Sequence, residues 1–268
     1  MAVSKDVIEA ALGTQDSEGV AASVLLAVAL VETNAMAFAP VGGRSEPLIR
    51  FEGHYFDRLL PEAPRRIARA AGLASPRAGT VRNPAGQPAR WAMLERAASI
   101  DAAAAYRATS WGLGQVMGEH WKRLGFASVH AMADLARQSA KGQFILVARF
   151  LKEGALHRLL LSGDHKGFAR RYNGPGFAAN RYDAKIAEAH AKARRLLARP
   201  VEGLRLGARG PAVAALQKAL VRHGHPLAPD GIFGPRTQGA VMAFQKAGGL
   251  APSGMADRAT LDRLGVSG

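Results

Sequence analysis

The sequence predicts a mainly α-helical protein with a small strand-and-loop element, followed by a separate small three-helix unit. Three observations carry this expectation. The first is Val20–Asn34, VAASVLLAVALVETN, where the twelve residues from Val20 to Val31 are uncharged and, Ser23 apart, apolar. A run of this kind fits a buried helix better than a strand, and it is too short to cross a bilayer, which takes about 20 apolar residues. The second is a repeat in the tail: Val213 to Ala219, VAALQKA, matches Val241 to Ala247, VMAFQKA. The third is Ala198 to Gly203, ARPVEG, where proline stops a basic helix and the composition shifts. The expected division is 1–199 and 200–268.

In chain order, Lys5 to Leu12 reads as a short helix ending near Gly13, and Asp16 or Ser17 is placed to cap the apolar helix that follows. Ala35 to Arg44 reads as loop, with Pro40 and Gly42-Gly43. Pro47 to Leu60 begins as a short strand (Leu48, Ile49, Phe51) and turns helical near His54. Pro61 to Pro88, with five prolines, reads as a long surface excursion holding one short helix, Pro64 to Ala71. Ala89 to Tyr106 is an Ala-rich helix, and Ser110 to Met117, SWGLGQVM, is a glycine-spaced stretch. Gly118 to Gly125 and Ser128 to Lys152 supply two or three helices. A short helix from Asp164 to Tyr172 ends at Asn173-Gly174-Pro175-Gly176, and a long basic helix runs from Arg181 to Arg199. In the tail, each repeat follows a Gly-Pro turn, with proline at the helix start where its missing N–H costs nothing. A third helix spans Asp257 to Leu264. The expected tail core is Leu216, Leu220, Phe233, Val241, Phe244, Leu250, Leu261 and Leu264.

The chain has no cysteine, which excludes disulfides and thiolate metal sites. No metal or other cofactor is expected. The N-terminus, MAVSKDVIEAALG, lacks a basic region followed by an apolar core, so no signal peptide is expected. The net charge of +15 attracts polyanions. Nucleic acid, anionic membrane surfaces and anionic cell-wall polymers all fit. Arg149 to Arg199 concentrates this charge, with twelve basic residues against four acidic ones. A nucleic-acid binder explains the charge but neither the apolar helix nor the tail repeat, and no recognised nucleic-acid motif is present.

Glu32 arrives as a single carboxylate at the end of the apolar run. Held against Val28 and Ala29, it would lose hydration and its pKa would rise, the setting a general acid needs near neutral pH. The alternative is that the helix simply ends there with Glu32 turned to water.

The tail from Leu204 to Gly265 resembles the peptidoglycan-binding domain of many cell-wall hydrolases. The resemblance rests on Val-x-x-Leu-Gln-x-x-Leu, the loop Asp230-Gly231-Ile232-Phe233-Gly234, the segment Thr237 to Gln245, and Gly254 with Thr260 and Leu264. In the larger part, Val31-Glu32-Thr33, Ser110 to Met117 and Tyr172 to Gly176, in that order, resemble the lysozyme superfamily of soluble lytic transglycosylases and goose-type lysozymes. Thr33 stands where many members have Ser, and Gly114 where many have Met. With Leu48 to Phe56, Gly125-Phe126 and Asn180-Arg181-Tyr182-Asp183 added, residues from about Val20 to Ala193 look like the N-acetylmuramidase domain of modular phage endolysins.

The resemblance implies a lysozyme-like helical fold cleaving the β-1,4 bond between N-acetylmuramic acid and N-acetylglucosamine. Glu32 would be the general acid. Glycoside hydrolysis usually takes a second carboxylate, and Glu52 is the best placed in sequence, with an ion pair to Arg50 as its alternative. Asp101 reads as a helix cap and Glu95 as surface. Thr33, His54, Ser110, Gln115, Tyr172 and Asn173 are the expected substrate-binding residues, and Tyr172 is a candidate donor to Glu32. Bacterial peptidoglycan is the expected partner, the lipopolysaccharide surface a further one, and a monomer is expected. Such a protein would be made in the host cytoplasm and reach the wall after release by another factor. The rival activities are a lytic transglycosylase giving 1,6-anhydro products and a non-catalytic wall-binding protein.

Overall fold

The computed structural model of the protein describes residues 3–197 and 203–266. They form two compact units, and the expected boundary at 199/200 lies outside the described residues.

In the larger unit the apolar run becomes α2 (Ala22–Thr33), preceded by α1 (Lys5–Glu18). A helix apolar all round must be buried all round, and Val24 to Ala29 have no exposed surface. α1, α8 (Ala140–Glu153), α9 (Leu156–Leu161) and α11 (Tyr182–Leu197) pack around it. α1 does not stop at Gly13. It runs through Asp16 and Ser17 to Gly19, whose left-handed φ of 71° lets its N–H reach the Gln15 carbonyl. The start of α2 is therefore capped by Gln15, whose Oε1 accepts from the Ala22 N–H at 2.9 Å.

The chain after α2 is a hairpin rather than a loop. β1 (Phe38–Val41) and β2 (Arg44–Pro47) pair antiparallel around Gly42-Gly43. Both glycines have positive φ, 54° and 78°, as a two-residue turn matching strand twist requires. A second sheet has the order β3–β4–β5, from Ile49–Phe51, Thr109–Trp111 and Val116–Met117, all antiparallel. Its free edge is covered by side-chain amides. Asn83 accepts from the Phe51 N–H and donates to its carbonyl at 2.9 and 2.6 Å, and Gln87 accepts from the Ile49 N–H at 3.0 Å. The proline-rich excursion is thus tied to the sheet, which removes an edge open to other strands.

The remaining helices are α3 (Gly53–Leu59), α4 (Glu62–Ala70), α5 (Gln87–Ala98), α6 (Ala102–Arg107), α7 (Val129–Gln138) and α10 (His165–Asn173). The expected Ala89–Tyr106 helix is two helices, separated where Asp101 accepts from the Ala104 N–H at 2.8 Å and caps α6.

The smaller unit holds α12 (Pro211–Arg222), α13 (Pro235–Ala247) and α14 (Arg258–Arg263). Its core is Val213, Leu216, Leu220, Phe233, Val241, Phe244 and Leu264, with Leu261 packed against it. Leu250 lies outside this core, half-buried. The repeat has a physical purpose. Buried Gln217 takes the Gly231 N–H on Oε1 and donates from Nε2 to Ile232 O and Thr237 Oγ1. Gln245 does the same with Gly254, Met255 and Thr260. Each glutamine pins one loop and the start of the next helix.

Candidate active site

The site gathers around the C-terminal end of α2. Two successive left-handed residues, Asn34 (φ 53°) and Ala35 (φ 58°), end the helix, and both N–H groups return to Ala29 O. Glu32 is the next-to-last residue of α2. Its Oε1 accepts a 2.5 Å hydrogen bond from the Tyr182 hydroxyl at the start of α11. Burial pushes the Glu32 carboxyl above its ordinary value, while the Tyr182 bond and the Arg50 charge pull it back. Burial and the nearby Glu32 charge hold the Tyr182 phenol far above its usual range, so it remains a donor. The phenol at Glu32 is thus Tyr182, not Tyr172.

Tyr172 has a different task. Its hydroxyl donates to Gly114 O at 2.7 Å, and its ring lies between Phe168 and Tyr182, at 5.1 and 6.1 Å. It braces Tyr182 and ties α10 to the turn of Gly112–Gly114 that joins β4 to β5. That turn needs both glycines. A Cβ on Gly114 would meet Val147 at 2.3 Å, and Gly112 combines a φ of 64° with a would-be Cβ 2.7 Å from Gln143. Gln143, 1 % exposed, accepts from the Leu113 N–H at 2.9 Å and donates to Ala37 O and Ala136 O.

Several expected sugar contacts support this same turn. Thr33 is buried, its hydroxyl 3.0 Å from Ala29 O and 3.3 Å from Leu113 O. Gln115, in the left-handed region at φ 47°, donates to Gly112 O and Leu48 O at 2.8 and 3.1 Å. Its amide nitrogen is therefore committed to the backbone. Ser110, 7 % exposed, faces Met117 Sδ at 3.1 Å. Asn173 is exposed at the end of α10.

Glu52, the carboxylate expected beside Glu32, follows β3 directly and is the N-cap residue of α3. Cross-strand partners point to one face, so the register Arg50↔Ser110↔Met117 puts these three together. Residues two apart in an extended segment also share a face, which puts Glu52 beside Arg50. The two form an ion pair at 2.8 Å. His54 Nδ1 lies 3.6 Å from Glu52 Oε2 and, among the described residues, has no hydrogen-bond partner. Arg50 therefore pairs with Glu52, and its charge also pulls the Glu32 pKa down.

The sequence reading missed Tyr182, Gln143 and the effect of the Arg50 charge on Glu32. Tyr182 stood in the quoted Asn180-Arg181-Tyr182-Asp183 segment, but nothing there marks which tyrosine reaches a carboxyl more than a hundred residues away. Gln143 carried one signal, a lone amide among Phe144, Leu146 and Val147 on an otherwise apolar helix face. In the smaller unit, Pro226, Leu227, Ile232, Pro235 and Arg236 line a groove beside the Gln217 staple.

Comparison with known proteins gives two family matches. The N-acetylmuramidase family matches residues 21–194, and a family of peptidoglycan binding domains matches residues 209–264. Among solved structures, the Burkholderia AP3 phage endolysin is 33 % identical, with 70 % of this chain and 71 % of that chain covered and a TM-score of 0.59. SltB3 from Pseudomonas aeruginosa, in complex with NAG-anhNAM-pentapeptide, is 14 % identical over 96 % of this chain and 80 % of that one, with a TM-score of 0.31. A search of the curated proteins finds no match.

Proposed function

The chain belongs to the N-acetylmuramidase family, and from that premise we propose that it is an endolysin-type peptidoglycan hydrolase cleaving the β-1,4 bond between N-acetylmuramic acid and N-acetylglucosamine. The two family matches and the likeness to a phage endolysin support a peptidoglycan-degrading enzyme. The observation that carries the mechanism is the Glu32 carboxyl, desolvated at the end of a buried helix and held by Tyr182. Protonated Glu32 gives its proton to the glycosidic oxygen, the bond to the N-acetylglucosamine leaving group breaks, and positive charge develops at the muramic acid C1. Glu52, oriented by Arg50, stabilises that charge or takes a proton from the attacking water. Thr33, Gln115 and Tyr172 hold the turn that forms the cleft wall. The smaller unit keeps the enzyme on an insoluble polymer and so raises the local substrate concentration.

One observation favours a second reading. Glu52 is already paired with Arg50, and in this reading it is no free base beside Glu32; attack by the muramic acid's own hydroxyl then yields a 1,6-anhydro product. Mass spectrometry of the muropeptides released by wild type and Glu32→Gln decides. Reducing ends from wild type and none from the variant support the hydrolase. Anhydro ends establish the lyase, and equal wall clearance by both proteins refutes Glu32 as the acid.

A further inference from the structure

Between the β1–β2 hairpin and helices α5, α6 and α7 lies a pocket of about 300 Å³ with no part in the mechanism above. It is on the far face of the second sheet from Arg50. The register Ile49↔Trp111↔Val116 alternates with Arg50↔Ser110↔Met117, and alternate residues of a strand point to opposite faces. Trp91 and Tyr106, which line the pocket, pack on Trp111 with ring centroids 5.9 and 5.2 Å away. None of Glu32, Arg50, Glu52 or Tyr182 lines it.

The pocket is built around a buried ion pair. Glu46, 6 % exposed, accepts from Arg137 Nε at 2.8 Å and from Nη2 at 2.5 Å. The same guanidinium lies over the Trp91 ring, 5.2 Å from its centroid. The pair still has bonding capacity: each carboxylate oxygen keeps a second acceptor site, and Nη1 keeps its donors. The half-buried Tyr106 phenol is raised by burial and feels the charges of Arg137, Asp134, Glu46 and Glu95, without a hydrogen bond to any of them.

We propose that this pocket holds one N-acetylhexosamine ring of a glycan strand other than the one being cleaved. The proposal goes beyond the muramidase reading and rests on it for the kind of sugar. Arg44 and Arg137 balance Glu46 and Glu95, so the lining carries no net charge and suits a neutral ligand. Neighbouring sugar hydroxyls each donate and accept, and the spare sites of Glu46, Arg137 and Tyr106 meet both needs. Half-buried Val41 and Ala98 offer apolar surface to an acetamide methyl. The volume is at the small end for ligand sites, room for a ring rather than a chain. The wall is a mesh of strands, so a pocket behind the sheet is filled by a neighbouring strand and needs no reach from the cleft.

The test uses the full chain, isotope-labelled at its three tryptophans, Trp91, Trp111 and Trp121. The Trp91 indole N–H donates to Pro47 O at 3.1 Å, next to Glu46, and so reports on the pocket. Titration with N-acetylglucosamine should move the Trp91 signal saturably, and glucose, which lacks the acetamide, should bind more weakly. Tyr106→Phe keeps the ring on Trp111 and should weaken sugar binding about fivefold, as one lost hydrogen bond does, with turnover of soluble glycan unchanged. A Trp91 signal that stays still overturns the proposal, as does an equal affinity in Tyr106→Phe. Movement with D-alanine but not with the sugar also overturns it, and makes the pocket a site for a zwitterion held between Arg44 and Glu95. A wild type that binds the sugar at Trp91 but cleaves no glycan overturns the muramidase reading and leaves the pocket standing.

Discussion

At the scale of single residues, the role proposed for Glu32 places opposed demands on it. An acid catalyst needs a pKa above that of an ordinary carboxyl, and burial raises that of Glu32. Burial of an ionisable group also costs stability. Its folded pKa lies above the unfolded value, so its favourable contribution is complete below the unfolded pKa and is lost as pH rises through the folded one. Glu32→Gln should therefore be inactive and yet melt at a higher temperature than wild type at pH 7, with the gap closing towards pH 4. Calorimetry across that range checks it. Tyr182→Phe removes the bond that pulls the Glu32 pKa down, so the basic limb of the kcat/KM profile should move to higher pH. An unmoved limb would mean that another group is the acid. His120 offers a separate pH signature. Burial against Phe150, together with Arg123, lowers it to about 4 from an ordinary 6.5. The unfolded chain then gains a proton as pH falls below 6.5 while the folded one does not, so stability declines down to about pH 4. Partial exposure of the ring leaves about 1–2 kcal/mol of the full effect. His120→Phe should flatten the decline in urea unfolding measured at pH 7 and pH 4.5.

At the scale of elements, the turn between β4 and β5 is where packing and chemistry meet. Gly114→Ala drives a methyl into Val147 and should cost about 1–3 kcal/mol, as overpacked sites do, with activity falling further because Thr33, Gln115 and Tyr172 all bond to this segment. Adding Val147→Ala should recover part of both losses, and a double-mutant cycle on stability and kcat/KM measures the coupling. α2 was legible from sequence because a helix buried on every side cannot hide its composition. α6 was legible as a capped segment, since Asp101 precedes its alanines, but its break from α5 was not: nothing in Ser99-Ile100 interrupts the helical pattern. The β1–β2 hairpin was present as a Gly-Gly signal and lost because Pro40 and two short strands without alternation read as loop. The glycines of Ser110 to Met117 were recognisable. That the polar groups around them support one another more than they face a sugar follows only from three-dimensional packing.

At the scale of the whole molecule, the proposed function divides the work between the two units, and the repeat glutamines allow that division to be tested. Gln245 is buried and satisfies Gly254, Met255 and Thr260 at once. Gln245→Ala leaves the Gly254 N–H without its partner, at about 1–3 kcal/mol for an unmet buried group, and frees the loop from the start of α14, although Met255 O keeps the Asp257 N–H and Thr260 Oγ1 keeps Asp257 Oδ1. A unit of this size has only about 3–5 kcal/mol in reserve, so the variant should strongly destabilise the smaller unit while the core around α2, which among the described residues shares no cluster with it, remains intact. Calorimetry of the full chain should then show one transition lost or lowered and the other unchanged. If the smaller unit is the wall anchor, turnover of soluble glycan fragments should match wild type, whereas clearance of insoluble walls falls at low enzyme concentration and returns at high concentration. That recovery is the mark of lost effective concentration rather than lost chemistry. Equal losses on soluble and insoluble substrates would show instead that the smaller unit takes part in the cleft's own work.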